Sequence, residues 1–129
     1  MKTLTETIYE STTPFNNPYQ GRDKKVVFVC SAGLLRSATG MRMYAHKYNT
    51  RSAGSHDEYA LTPLTSNLVA WANELVFVNR ENYLRACEKF NFYHPSFNEK
   101  TIRILDIPDA YPHMDKRLQQ AFIDQYEAL

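Results

Sequence analysis

The sequence predicts an α/β fold, a three-layer sandwich in which a parallel sheet lies between helices. Short unbroken runs of β-formers, Val26-Val27-Phe28-Val29 and Glu74-Leu75-Val76-Phe77-Val78, are how strands buried on both faces look. The stretches between such runs carry apolar residues at helical spacing. Strands joined by helices pair in parallel through right-handed crossovers, which place helices on both sides of the sheet.

Each element has its own local reason. After the first run comes a loop with Gly33, then a helix with Ala38, Met41, Ala45 and Tyr48 on one stripe. Thr50 to Ala53 reads as a second strand, ended by Gly54. Thr62-Pro63 is a helix-start signal, a capping hydroxyl followed by proline at the first helical position, with Leu64, Leu68 and Trp71 behind it. Asn79 caps a helix carrying Tyr83, Leu84, Cys87 and Phe90, and Thr101 to Leu105 is a fourth strand. Leu118, Phe122, Tyr126 and Leu129 mark a C-terminal helix.

Residues 1–24 are polar and turn-rich, with Ser11-Thr12-Thr13-Pro14 and Asn16-Asn17-Pro18, and read as an N-terminal arm outside the core. Tyr9, Phe15 or Tyr19 could dock it. Residues 25–129 form a single α/β domain within a chain of 129 residues, long enough to bury a core. Fifteen basic and fourteen acidic residues leave a net charge of +1, so bulk charge draws it to neither nucleic acid nor membrane. No apolar stretch nears the ~20 residues of a membrane span, and Met1 to Thr5 lacks the apolar run of a signal peptide. Two cysteines, Cys30 and Cys87, are too few for a disulfide scaffold and suit a reducing compartment, so the expectation is cytoplasmic.

Ligands of open parallel sheets bind beyond the carboxyl ends of the strands. Two reactive segments leave strand ends there. The first is Cys30-Ser31-Ala32-Gly33-Leu34-Leu35-Arg36-Ser37. A loop between a strand and a helix N-terminus turns its N–H groups inward, forming an anion nest on the positive end of the helix dipole. Gly33 supplies the left-handed backbone such curvature needs. The planar fork of Arg36 can hold two phosphoryl oxygens. Cys30 in that field is held as a thiolate, a nucleophile facing a bound phosphoryl group, and Ser37 can donate to its sulfur.

The second segment is Leu105-Asp106-Ile107-Pro108-Asp109-Ala110-Tyr111-Pro112. Attack on a phosphate ester expels an alkoxide or phenoxide, which leaves faster when a carboxylic acid protonates it. Asp106 and Asp109 both qualify by residue type, and either could equally be a turn aspartate beside proline.

Together these segments, with Ser52-Ala53-Gly54, resemble the low-molecular-weight protein tyrosine phosphatase family. Leu61-Thr62-Pro63-Leu64, Ala70-Trp71-Ala72, Leu75 to Val78 and Leu105 to Asp115 bring the likeness closer to its short predicted tyrosine phosphatase subgroup. The resemblance covers about residues 25 to 128. It implies a flavodoxin-like sheet of four parallel strands in the order 2-1-3-4, and cysteine-dependent phosphomonoester hydrolysis without metal or cofactor. It makes Cys30 the nucleophile, Arg36 the phosphate clamp, Ser37 the thiolate partner and Asp109 the general acid, with Asp106 left as a turn-former. Backbone amides of Ser31, Ala32, Gly33, Leu34, Leu35 and Arg36 would bind phosphate, and Tyr111 and Tyr59 would wall the substrate cleft. The implied partner is a phosphotyrosyl protein or small aryl phosphate. Ala32-Gly33 stands where the family has Gly-Asn, Leu35 where it often has a second cysteine, and Ala110 where it has proline. The first and last departures motivate an alternative, a phosphate-binding module with little turnover. Thiol-coupled arsenate reduction, a third reading, lacks relay cysteines.

Other notable residues read as structural. Cys87 and Trp71 belong to the core. His46, His56, His94 and His113 show no metal-ligand spacing. Lys24 and Lys25 are expected as a solvated pair at the sheet end opposite the site.

Overall fold

The computed structural model describes residues 23–92 and 100–129; the expected arm at 1–24, apart from its last two residues, and His94 lie outside them. Four parallel strands form the sheet: β1 (Lys25–Cys30), β2 (Asn49–Gly54), β3 (Glu74–Phe77) and β4 (Thr101–Ile104). Their spatial order is β2-β1-β3-β4, as expected, with Cys30 beside Gly54 and Val29 beside both Ala53 and Phe77. Helices α1 (Arg36–Tyr44), α2 (Ser66–Trp71), α3 (Arg80–Lys89) and α4 (Lys116–Gln125) make the crossovers and the C-terminal end.

Alternation along β1 divides the core. Val26 and Phe28 meet Tyr44, Leu118, Phe122 and Tyr126 from α1 and α4, whereas Val27 and Val29 meet Leu64, Leu68, Val69 and Ala86 from the α2 and α3 side. All four β1 side chains are fully buried, each stabilising by ~1.5–3 kcal/mol. On the α1 side, Gly40 lets the helix close onto Phe28: a Cβ there would come within 2.7 Å of the ring. Phe28, Tyr44, Phe122 and Tyr126 then pack as stacked and edge-to-face pairs.

Several helices differ from their expected start or facing. The Leu64 helix begins at Ser66, because Thr62 and Leu64 are drawn into backbone bonds with Gly54. Thr65 caps it, its hydroxyl accepting from the Leu68 amide at 3.2 Å. Helix α1 turns Thr39, Gly40 and Tyr44 inward, leaving Ala38, Met41, Ala45 and Tyr48 at the margin. Polar Thr39 is buried because it holds the acid segment, a long-range role that helical spacing cannot show. Asn79 caps α3 as expected, through the Asn82 amide. That helix buries Asn82 and Ala86, while Leu84 is 49% exposed and Cys87 only half-buried. Small Ala86 lets the helix approach the sheet, and Tyr83 instead stacks with Phe92 and packs against Phe77. Helix α4 ends at Gln125, so Leu129 is exposed.

At the amino end of the sheet, Lys24 and Lys25 are not simply solvated. Lys24 lies 3.5 Å from the buried Glu74 carboxylate and over the Tyr48 ring, and Lys25 lies over half-buried Trp71. Among the described residues no helix is long and apolar enough to cross a membrane, and no group of three or more His, Cys, Asp or Glu could hold a metal ion.

Candidate active site

The site lies where the carboxyl ends of β1, β3 and β4 converge. Gly33 has φ +78°, the left-handed backbone expected of it. A Cβ at Gly33 would come within 2.9 Å of Ala53 C, Gly54 N and Thr62 Oγ1, so only glycine allows the loop to lie this close to β2. The turn carries the Gly33 amide to 3.2 Å from Cys30 Sγ. Ser37 Oγ stands 3.1 Å from the same sulfur. Both are contacts of the kind that stabilise a sulfur anion. The amides of Ala32, Leu34 and Leu35 donate to no group among the described residues, and the loop runs directly into the N-terminus of α1. Unclaimed amides beside a helix N-terminus and a buried sulfur are groups able to hold an anion.

Arg36 is 2% exposed. Its Nη1 donates to the Ile107 carbonyl at 3.0 Å and its Nη2 to Ser31 Oγ at 3.3 Å. Nε is buried with no hydrogen bond among the described residues. Part of the guanidinium therefore holds the protein together, tying the Cys30–Arg36 loop to the loop after β4. Of its five N–H groups two are used, so Nε–H and the second N–H of each terminal nitrogen remain, and Nε with Nη2 offers two donors along one edge.

The acid segment is anchored by β-type bonds, Leu105 N to Phe77 O and Ile107 N to Val78 O, and by Thr39 Oγ1, which accepts from the Met114 amide. Asp109 follows Ile107 by two residues and projects to the same guanidinium: Oδ1 is 3.8 Å from Arg36 Nε, and the side chain is 62% exposed. Asp106 stays outside this group. Its backbone N–H and carbonyl both engage the Gln125 amide at the other side of the loop. His113, one turn past Asp109, is held below the usual imidazole range by burial first, then by the charge of Arg42.

The two tyrosines are arranged differently from each other. Tyr111 is half-buried against the Phe28 side of the core, with the Arg117 guanidinium over its ring. Tyr59 is 55% exposed and stacks on His56, in a loop sewn to the Cys30–Arg36 loop by His56 N donating to Ser31 O.

Sequence reasoning missed the residues that brace the loop. Ser52 Oγ donates to the Gly33 carbonyl at 3.0 Å and lies 2.7 Å from Ser37 Oγ. Fully buried Asn82 donates to Ser31 Oγ and Ser55 Oγ. These bonds brace the loop from β2 and α3. Ser52 sat within a motif already quoted, and Asn82 stands one turn after a capping asparagine. No local pattern marks either as a brace.

The architecture defines an α/β protein with a parallel sheet in the order β2-β1-β3-β4 and a loop of unclaimed amides at the carboxyl end of β1. No protein-family model matches the chain, and no curated protein matches it. Among solved structures, it is similar to the low molecular weight protein tyrosine phosphatase from Campylobacter jejuni, with a TM-score of 0.51 over 78% of this chain and 92% of that one. The sequences are 15% identical, so the likeness establishes a common fold.

Proposed function

We propose that the protein is a cysteine-dependent phosphomonoester hydrolase acting on phosphotyrosine or similar aryl phosphates. The observation that carries the reading is that Cys30 Sγ, the unclaimed loop amides, the free Nε of Arg36 and the Asp109 carboxyl belong to one set of neighbouring groups. The fold shared with a tyrosine phosphatase supports it.

In the first step the Cys30 thiolate attacks phosphorus, forming an S–P bond as the ester P–O bond breaks. The Asp109 carboxyl gives its proton to the departing oxygen. Loop amides and Arg36 hold the equatorial oxygens, where negative charge must be matched throughout. Water then attacks phosphorus, the Asp109 carboxylate takes its proton, and the S–P bond breaks to release inorganic phosphate and the thiolate. Ser37, fixed by Ser52, stabilises the sulfur as leaving group. Asp109 sits open to solvent, as a group that must meet substrate and water in turn, whereas Cys30 and Arg36 are buried and fixed.

Hydrolysis of 4-nitrophenyl phosphate tests this directly. The wild-type chain turns it over and Cys30→Ser does not; equal activity in both would remove the nucleophile and the proposal with it.

A further inference from the structure

Helix α1 reaches the loop after β4 on both sides of Asp109. Arg36, in its first turn, donates from Nη1 to the Ile107 carbonyl at 3.0 Å. Thr39, one turn later on the same face, accepts at Oγ1 from the Met114 amide at 2.8 Å. Neither bond can run the other way, because a guanidinium and a backbone amide only donate. His113 Nδ1 lies 3.5 Å from the same Thr39 oxygen, so the hydroxyl meets two consecutive residues of the loop.

Between these two pins little else fixes the backbone. The amides of Asp109, Ala110, Tyr111 and His113 donate to no group among the described residues, and Pro108 and Pro112 have none to give. Asp109 itself stands 3.8 Å from Arg36 Nε, beyond hydrogen-bond reach. The apolar contact of Tyr111 with the core is non-directional. Met114 makes the second pin a demanding one. Its φ is +60°, the one positive value among the described non-glycine residues, and a side-chain-bearing residue stays there only when its surroundings compel it. Thr39 at its amide and Gln119 Nε2 at its carbonyl, each at 2.8 Å, supply that constraint. Thr39 is fully buried, and burying a hydroxyl is costly unless such a bond answers it.

We propose that Thr39 is a positioning residue for the general acid: its hydroxyl fixes the far end of the loop, so that Asp109 meets the leaving oxygen of a phosphoryl group held by Arg36. The inference rests on the hydrolase reading and on Asp109 as its acid. One helix then sets the place of both the anion clamp and the proton donor. Thr39 touches no substrate and exchanges no proton with it; its whole effect passes through Asp109.

Thr39→Val keeps the side-chain volume and removes the acceptor. In the full chain it should lower kcat/KM for phenyl phosphate, whose leaving group needs a proton, by roughly 10- to 100-fold. For 4-nitrophenyl phosphate, whose leaving group does not, the loss should be about twofold or less. Thr39→Ser restores the acceptor and should recover most of the phenyl phosphate rate. In an Asp109→Ala background Thr39→Val should cost nothing further on either ester, because a group acting through the acid has no effect once the acid is gone. General damage to the site would instead slow both esters alike and persist without Asp109. Equal losses on the two esters, an unchanged phenyl phosphate rate, or a further loss in the Asp109→Ala background overturns the positioning role and leaves the hydrolase standing. Should Thr39→Val not fold, the same criteria apply to Gln119→Met, which frees the Met114 carbonyl from the less buried side. Asp109→Ala slowing both esters equally overturns Asp109 as the acid, and the role of Thr39 with it. Wild type turning over neither ester overturns the hydrolase and this inference together.

Discussion

The Asp109 carboxylate stands 3.8 Å from the buried Nε of Arg36, and no hydrogen bond closes the gap. An acid that is open to solvent and loosely paired adds little to stability, about 0–1 kcal/mol. In the proposed mechanism its value lies in chemistry. Asp109→Ala should unfold in urea within that margin of wild type. It should slow hydrolysis of phenyl phosphate, whose leaving group needs a proton, by roughly 10²–10⁴. Turnover of 4-nitrophenyl phosphate should fall much less. A loss of the same size on both esters would mean that another group is the acid.

Gly33→Ala should damage both fold and site. The substitution forces a side chain into φ +78° and against two backbone atoms at 2.9 Å, neither of which can rotate away. A cost of about 1–3 kcal/mol is expected from the backbone conformation, with further loss from crowding. Urea unfolding measures the first, and sulfate affinity the displacement of the loop. An unchanged midpoint would mean that β2 can retreat from the loop.

Ser52→Ala removes the donor to the Gly33 carbonyl and the partner of Ser37. Leaving those buried groups unsatisfied costs about 1–3 kcal/mol. With Ser37 free to turn, the sulfur loses a fixed donor, so alkylation of Cys30 by iodoacetamide at neutral pH should slow. Peptide mass analysis separates Cys30 from half-buried Cys87. A variant as stable and as reactive as wild type would show that the loop braces itself.

Alkaline pH should unfold the chain through two tyrosines. Tyr126 is held well above the usual phenol range by burial, then by its hydrogen bond to Glu74; Tyr44 likewise by burial, then by its bond to Glu127. In the unfolded chain both ionise near pH ~10, while the native fold keeps their protons. The stabilisation is complete below that pH and declines as pH rises above it. Absorbance of tyrosinate and far-ultraviolet circular dichroism should therefore change together for these two residues. Ionisation of both phenols within an intact fold would contradict this assignment.

β1 and β3 were legible because Val26–Val29 and Leu75–Phe77 are continuously apolar, whereas β2 is equally buried but polar along most of its length. The strand order came from a resemblance and is matched by the fold. Helix facings were less legible because the decisive inward residues are not apolar: Thr39 and Gly40 on α1, Asn82 on α3. The start of α2 was misplaced because a local signal at Thr62-Pro63 lost to long-range pairing with Gly54. The same distinction holds at the candidate site. Cys30, Gly33 and Arg36 lie in one continuous motif, so their proximity was visible. Ser52 and Asn82 reach the loop from other elements, and their role becomes visible only when β2 and α3 are in place.

The position of β1 in the sheet has a mechanical consequence. Its backbone is bonded on both sides, to β2 and β3, whereas β4 has a neighbour on one side only and its side chains are partly open to water. Cys30 thus ends a strand paired on both sides, whereas Asp109 follows an edge strand. Amide hydrogens should exchange with solvent first around β4 and last at β1, letting one jaw of the cleft breathe while the other keeps its place.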